Sequence, residues 1–145
     1  MRKGVGQGAR VWVAVWLLFT QVAYAQCQWV FNSDNRAYPL LLANTPAQQQ
    51  QGLSGLAHIN MGMLFVWSTA EVRHFWMRNT HQPLRLFCLN TQWHIEQEHT
   101  MSPLSDHIYA CEQPTRYVLE LPVSLADEAK LQLGDPVTLV DCVLD

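Results

Sequence analysis

The chain has 145 residues, with nine Lys or Arg and twelve Asp or Glu. Three of the basic residues and none of the acidic ones fall in the first 25 positions, so the remainder carries six basic against twelve acidic side chains, a net charge of −6. This balance disfavours nucleic acid and an anionic membrane surface as partners. The length favours a single domain with a genuine core.

The N-terminus has the layout of a secretory signal peptide. Its three basic residues flank or precede an uninterrupted apolar run, 11–19, and Ala23 and Ala25 form a small-x-small cleavage signal. The apolar run is too short for a membrane-spanning helix, which needs about 20 residues. Gln26 is too large for the position before a lipoprotein Cys27. We therefore predict cleavage after Ala25, a mature domain of residues 26–145, and a periplasmic or secreted location without membrane association.

All four cysteines lie in the predicted mature domain. An even number of cysteines in an exported chain without a CxxC motif indicates two disulfides rather than a metal site. Three pairings are open. We favour Cys27–Cys142, which would join the two chain ends, and Cys88–Cys111, which would join two inner strands.

A short helix is predicted between the second and third strands. Thr45 suits the N-cap, Pro46 the first helical position, and Gln48 the third position of a capping box. Gly52 suits the left-handed residue that ends a helix. The four glutamines at 48–51 are interpreted as a solvated face.

The other predicted elements are short strands and one more helix. A second helix is predicted over 125–133 with Ser124 as its cap, and a polar turn at Ser33-Asp34-Asn35. The predicted strands, in chain order, are 28–32, 38–43, 62–67, 74–77, 84–89, 93–99, 107–111, 117–121 and 137–143. Because most of them follow one another without a helix, the fold class is mostly β, a single-domain antiparallel β-sandwich or small barrel with two short helices.

The segment from His74 to Asn90 contains the candidate site. An apolar tetrad, 74–77, is followed by a polar corner, 78–82, by Pro83 and by a second apolar run, 84–89. This pattern is typical of strand, bend and strand, and hydrogen-bonding side chains beside an indole ring are common in binding sites. The predicted ligand-binding residues are Trp76, Met77, Asn79, Thr80 and Glu120.

Glu120 is included because it lies between Leu119 and Leu121 in a run that otherwise looks buried. A carboxylate in such a place must be paired or hydrogen-bonded, or it stays protonated. One interpretation is a structural tie to Arg78, to Arg116 or to the Asn79 backbone. The other is a ligand-binding or catalytic role, because carboxyl groups with shifted pKa values occur at functional sites.

The order of several motifs resembles a known family. They are QGLSGL (51–56), GMLFVW (62–67), FWMRNT (75–80), PLRLFCLN (83–90), RYVLELP (116–122) and LGDPV (133–137). In these the chain resembles the exported bacterial and archaeal family called "domain of unknown function 192". The resemblance implies a compact, mostly β domain outside the cytoplasm and brings no known activity. The chain departs from the family at Ser54 (usually Met), Arg85 (usually Asp) and Cys88 (usually aromatic), and Arg85 reverses the usual charge.

Three functions are compatible with these residues. The first is a binding module without chemistry of its own, whose partner is a small ligand or an envelope protein, with no cofactor, no metal and a monomeric state. The second is a hydrolase that uses Glu120 as a base beside Asn79. The third is a periplasmic copper protein that uses Met and His side chains as soft donors. The candidate donors are Met61 and Met63, and also His74 and Met77, although the last two would point to opposite faces of a strand. The first is favoured because no nucleophile elbow, phosphate loop or dinucleotide fingerprint is present.

Overall fold

A computed structural model describes residues 24–30, 36–142 and 144. This part of the chain contains nine strands and two helices. The strands are Ala25–Val30 (β1), Ala37–Ala43 (β2), Gly62–Glu71 (β3), His74–Phe75 (β4), Leu84–Leu89 (β5), Ile95–Met101 (β6), Tyr109–Ala110 (β7), Thr115–Pro122 (β8) and Thr138–Val140 (β9). The helices are Pro46–Gln51 (α1) and Val123–Ala129 (α2). The predicted mostly β class with two short helices is confirmed.

Seven strands form one sheet in the order β6-β5-β8-β3-β2-β1-β9, and β4 and β7 form a separate pair. The sheet is mixed rather than wholly antiparallel, because β2 and β3 run parallel to each other. Parallel neighbours cannot be joined by a tight hairpin, and here the link is the segment 44–61, which begins with α1. This crossover is the point at which the predicted antiparallel arrangement fails.

The two edges of the large sheet meet at one corner. His94, just before β6, forms an isolated bridge with Pro136, just before β9. The Val137 N–H donates to the Trp93 carbonyl at 2.8 Å. These contacts join the outer strands, so the sheet curls towards the small barrel that was one of the two predicted arrangements.

The sheet separates two apolar cores. The first contains Trp29, Tyr38, Leu64, Phe87, Leu119 and Leu121, together with Ala126 and Ala129 of α2. The second contains Met63, Phe65, Met77, Leu86, Met101 and Val118. Because side chains alternate along a strand, β8 sends Leu119 and Leu121 to the first core and Val118 to the second. Glu120 therefore lies on the side of the second core.

The predicted capping of α1 is confirmed, whereas that of α2 is not. The Thr45 side chain accepts from the Gln48 backbone, and the Gln48 side chain accepts in return from the Thr45 backbone. The second helix spans Val123–Ala129, not 125–133, and has no side-chain cap at its start. It ends at Lys130, whose φ of 54° turns the chain out of the helix, and the next residue, Leu131, is buried in the first core.

Both predicted cysteine pairs lie at disulfide distance. Cys27 and Cys142 have sulfurs 1.94 Å apart, and Cys88 and Cys111 have sulfurs 1.99 Å apart. The predicted signal peptide, apart from Tyr24 and Ala25, lies outside the described residues, as does the predicted Ser33-Asp34-Asn35 turn. Within the described part, none of the helices has the length and apolar character needed to cross a membrane.

Candidate functional site

The site is built around the chain reversal between β4 and β5. The strand β4 is shorter than the predicted 74–77 and pairs with β7. The turn that follows is closed by a hydrogen bond from the Thr80 N–H to the Met77 carbonyl at 3.1 Å. The predicted order of strand, bend and strand is thus present.

Two neighbouring loops hold this turn in place. The Gly55 N–H donates to the Asn79 carbonyl at 2.8 Å, and the Leu104 N–H donates to the Thr80 carbonyl at 3.0 Å. The Met77 N–H donates in addition to the Ser105 carbonyl at 3.1 Å. Because each loop is bound through backbone groups, the turn is fixed relative to the segment that follows α1.

A pocket of about 170 Å³ lies between this turn, the end of α1 and the sheet. Residues 49–54 form one wall. The aromatic lining residues are Phe65, Trp67, Phe75 and Trp76, and the polar ones elsewhere in the lining are His74, Thr80 and Glu120. Three of the five predicted ligand-binding residues, Trp76, Thr80 and Glu120, therefore line one pocket, although Glu120 is far from the other two in sequence.

Glu120 is buried between apolar side chains. In the register of the sheet it lies opposite Met63 on β3 and opposite Leu86 on β5, and both neighbours are fully buried. The residue is 5% exposed. Desolvation by this burial raises the pKa of Glu120 to about 8. The carboxyl group is therefore mostly protonated at neutral pH.

No side chain in the described ranges compensates for this burial. Among residues 24–30, 36–142 and 144, the Glu120 carboxyl makes neither a hydrogen bond nor an ion pair. The two arginines considered as structural ties are used elsewhere. Arg78 pairs with Asp106 at 2.7 Å, and Arg116 donates to the Trp67 carbonyl at 2.8 Å. The predicted structural tie is thus not formed.

The other two predicted ligand-binding residues lie outside the pocket lining. Met77 is 1% exposed and belongs to the second core. Asn79 is exposed, and its carbonyl group holds Gly55. Its side-chain amide also lies close to the Cα of Gly55, since a Cβ at that position would lie 3.4 Å from Asn79 Nδ2. Both residues shape the turn that carries Trp76 and Thr80.

Several lining residues were not predicted from the sequence. The glutamines of α1 were interpreted as a solvated face, yet Gln49 lines the pocket and donates through Nε2 to the Val66 carbonyl at 2.7 Å. Phe65 and Trp67 alternate with Leu64 and Val66 along β3, and this alternation was the available signal for a second face. The approach of α1 to that face is a long-range contact that the local sequence does not encode.

Arg85, one of the departures from the family pattern that the sequence suggested, does not belong to this pocket. It pairs in register with Leu121, whose side chain enters the first core, so it lies on the opposite face of the sheet from Glu120. It forms ion pairs with Glu98 and with Asp127. The reversed charge therefore does not alter the pocket.

The soft donors considered for copper serve mainly as core residues. Met63 is fully buried and Met77 nearly so, both in the second core. Across the part of the chain that the structure describes, no three or more His, Cys, Asp or Glu side chains are grouped so that they could hold a metal ion.

Comparison with known families identifies the chain. The model of the DUF192 family, described as uncharacterised, matches residues 29–139, which is most of the sequence. The chain belongs to this family, as its motifs predicted. Membership brings no activity with it. A search of the curated proteins found no match.

Two solved structures are similar to this chain. One is a candidate transcription regulator from Sinorhizobium meliloti 1021, with a TM-score of 0.74 and 27% identity over 82% of this chain and 97% of that one. The other is a protein of unknown function from Novosphingobium aromaticivorans, with a TM-score of 0.69 and 26% identity over 79% of this chain and 84% of that one.

Proposed function

We propose that this protein is a small-molecule-binding domain and that its ligand occupies the pocket above Glu120. The observation that carries the proposal is the Glu120 carboxyl group, which is 5% exposed, lines the pocket and has no partner among the described residues. Buried polar groups are nearly always hydrogen-bonded, and those that are not often serve a function. A ligand that bonds to this carboxyl would complete its hydrogen bonding.

The size of the pocket limits the ligand. Its volume of about 170 Å³ is close to the ~150 Å³ of an engineered protein cavity that takes up benzene. A single ring, or one end group of a longer molecule, would fill it. The acidic balance of the chain argues against nucleic acid as that longer molecule.

The lining offers two kinds of contact. The aromatic rings provide apolar surface, and Trp76, which is 51% exposed, is reachable from solvent. Thr80 and Glu120 supply hydrogen-bonding groups at buried positions. A mainly apolar wall with few, well-placed polar groups is the usual composition of a small-molecule site.

We place this function in the periplasm or outside the cell. The support comes from the signal-peptide pattern before Gln26 and from the two disulfide pairs, which persist in oxidising compartments. N-terminal sequencing of the exported protein tests this part. The proposal expects Gln26 as the first residue, whereas retention of the first 25 residues in the cytoplasm would refute it.

A second candidate is an acid–base enzyme, favoured by the raised pKa of Glu120. A carboxyl group whose pKa lies near the working pH is suited to proton transfer. The predicted helper Asn79 does not line the pocket, so His74 or Thr80 would be the neighbouring polar group. Turnover that is lost in Glu120→Gln while binding remains would establish this candidate over simple binding.

The test is a calorimetric and thermal-shift screen of the mature protein. The panel contains neutral single-ring compounds, monosaccharides, small organic cations and small carboxylates. We expect at least one class to bind, and Glu120→Gln to weaken it at least about tenfold, which is ~1.4 kcal/mol. The matched control is Glu96→Gln, an exposed glutamate on β6 outside this pocket. Equal binding by both variants would refute the site.

A further inference from the structure

The pocket contains an acid but no residue with a permanent positive charge. Of the lining residues, Glu120 is the only carboxylate and His74 the only basic side chain, and no Lys or Arg of the described chain lines the pocket. An ionised Glu120 would therefore have to obtain its counter-charge from the ligand. A carboxylate without such a partner is strongly disfavoured between Met63 and Leu86.

The aromatic walls also suit a positively charged ligand. Phe65 and Trp67 are stacked with ring centroids 5.7 Å apart, and Phe75 meets Phe65 edge-on at 5.3 Å. Aromatic rings attract cations through their quadrupole, and sites for quaternary ammonium groups are built from them. The pocket thus combines aromatic enclosure with a single acidic group.

Two arginines near these rings do not bring unpaired positive charge to the pocket. The Arg73 guanidinium lies 4.3 Å from the Trp67 ring centroid, and that of Arg78 lies 5.1 Å from the Trp76 ring centroid. Arg73 pairs with Glu71 at 3.5 Å, and Arg78 pairs with Asp106. Trp67 and Trp76 therefore each already have an arginine over the ring, and a neighbouring carboxylate balances the charge of each arginine.

We infer that the ligand is a small organic ammonium ion, held by the aromatic lining and paired with the Glu120 carboxylate. This inference rests on the proposed function and specifies its ligand class. Binding is coupled to ionisation of Glu120, so the cation enters and a proton leaves. The net charge of the pocket does not change in this exchange.

The proton released by Glu120 must be distinguished from protons released by other titratable groups around the pocket. His74 lines the pocket, and the Tyr24 hydroxyl donates to the carbonyl of the lining residue Gly52 at 3.3 Å. The strands on either side of Glu120 present Met63 and Leu86 to it, which do not titrate. Tyr24 is removed with the predicted signal peptide, so the mature protein used for the titration lacks it; in the uncleaved chain, burial raises its pKa above the ordinary value of 10. His74 is the group that requires a variant.

The experiment compares choline with 3,3-dimethyl-1-butanol, which has the same shape but a carbon in place of the charged nitrogen. Calorimetry at pH 7, in two buffers with different ionisation enthalpies, counts the protons released. We expect choline to bind more tightly and to release close to one proton, and the neutral alcohol to release none. Choline affinity should rise up to about 50-fold from pH 6 to pH 8 and then level off, because ionisation of Glu120 no longer opposes binding there.

Two variants show which residue causes the proton release and the pH dependence. In Glu120→Gln both the proton release and the pH dependence should disappear, whereas in His74→Gln the pH dependence should remain. If choline and the alcohol bind equally, or choline binds without proton release, the ammonium inference is refuted while the pocket still binds. If neither binds but a neutral or anionic compound of the screening panel binds through Glu120, the inference alone fails. If no compound binds, the proposed function fails as well.

Discussion

Leu86 on β5 lies directly opposite Glu120 on β8 in the register of this antiparallel pair. Met63 occupies the corresponding position on the other neighbouring strand. The carboxyl group is thus enclosed laterally by two buried apolar side chains and lines the pocket. The identity of the two neighbouring residues in the sheet therefore determines how easily Glu120 ionises.

The first prediction concerns stability and pH. The pKa of Glu120 is about 8 in the folded protein against an ordinary value of 4.5, so below pH 4.5 the group is neutral in both states and stability is not affected. Between pH 4.5 and 8 the unfolded chain has released this proton and the folded one has not. The free energy of unfolding should therefore fall by about 1.4 kcal/mol per pH unit over this range and level off above it.

Comparison with Glu120→Gln isolates this effect, because all other groups titrate in both proteins. Urea unfolding from pH 4 to 9 should show the variant gaining stability relative to the wild type as the pH rises. Glu96→Gln should show no such trend. A constant difference between Glu120→Gln and the wild type over the whole range would contradict the burial of an unpaired acid.

The second prediction concerns Trp76. Its ring lines the pocket yet is 51% exposed, so Trp76→Ala should weaken choline binding about tenfold or more, ~1.4 kcal/mol, with little change in stability. Leu133→Ala is the matched control, since Leu133 is 59% exposed and does not line this pocket. Unchanged affinity in Trp76→Ala, measured by calorimetry, would remove the ring from the site.

The third prediction concerns Gly62 at the start of β3. A Cβ at this position would overlap with Leu121 Cδ2 and would lie 2.7 Å from Leu40 Cδ2 and 2.9 Å from the Glu120 carbonyl oxygen. The last contact is with backbone and cannot be relieved by a rotamer change. Gly62→Ala should lower the free energy of unfolding by about 1–3 kcal/mol, measured by urea denaturation. A variant as stable as the wild type would show that the strands are less tightly packed here than described.

The fourth prediction concerns the disulfides. Cys27–Cys142 closes a separation of 115 residues and Cys88–Cys111 one of 23. In the loop-entropy model, replacing each pair by serine should cost about 5 and about 3.5 kcal/mol respectively. Urea unfolding of the two double variants tests the order. A larger loss for Cys88 and Cys111 would show that local packing outweighs chain entropy.

The local elements could be predicted because their signals lie within a few residues. The capping box of α1 needs only Thr45, Pro46 and Gln48, and all three act as expected. The alternation of side chains along a strand also accounts for the place of Glu120 on the other face from Leu119 and Leu121. The end of α2 was predicted too late because Leu131 leaves the helix to fill the first core, which is a tertiary contact.

The pairing of strands could not be predicted in the same way. Nothing near β2 or β3 indicates that they run parallel, since this depends on the path of the whole 44–61 segment. Part of the pocket lining was among the predicted ligand-binding residues, and their role in binding stays a prediction. Trp76 and Glu120 are recognisable as amphipathic or polar groups in apolar runs, and Thr80 as a member of the polar corner. The wall formed by residues 49–54, in contrast, depends on that same path.

The ionisation of Glu120 is the most direct test of this account. Carbon-13 NMR can follow its side-chain carboxyl resonance, assigned by its absence in Glu120→Gln, from pH 4 to 9 with and without choline. The account predicts a midpoint near pH 8 in the free protein and a clearly lower midpoint with choline bound. A midpoint near 4.5 in the free protein, unmoved by choline, would contradict it.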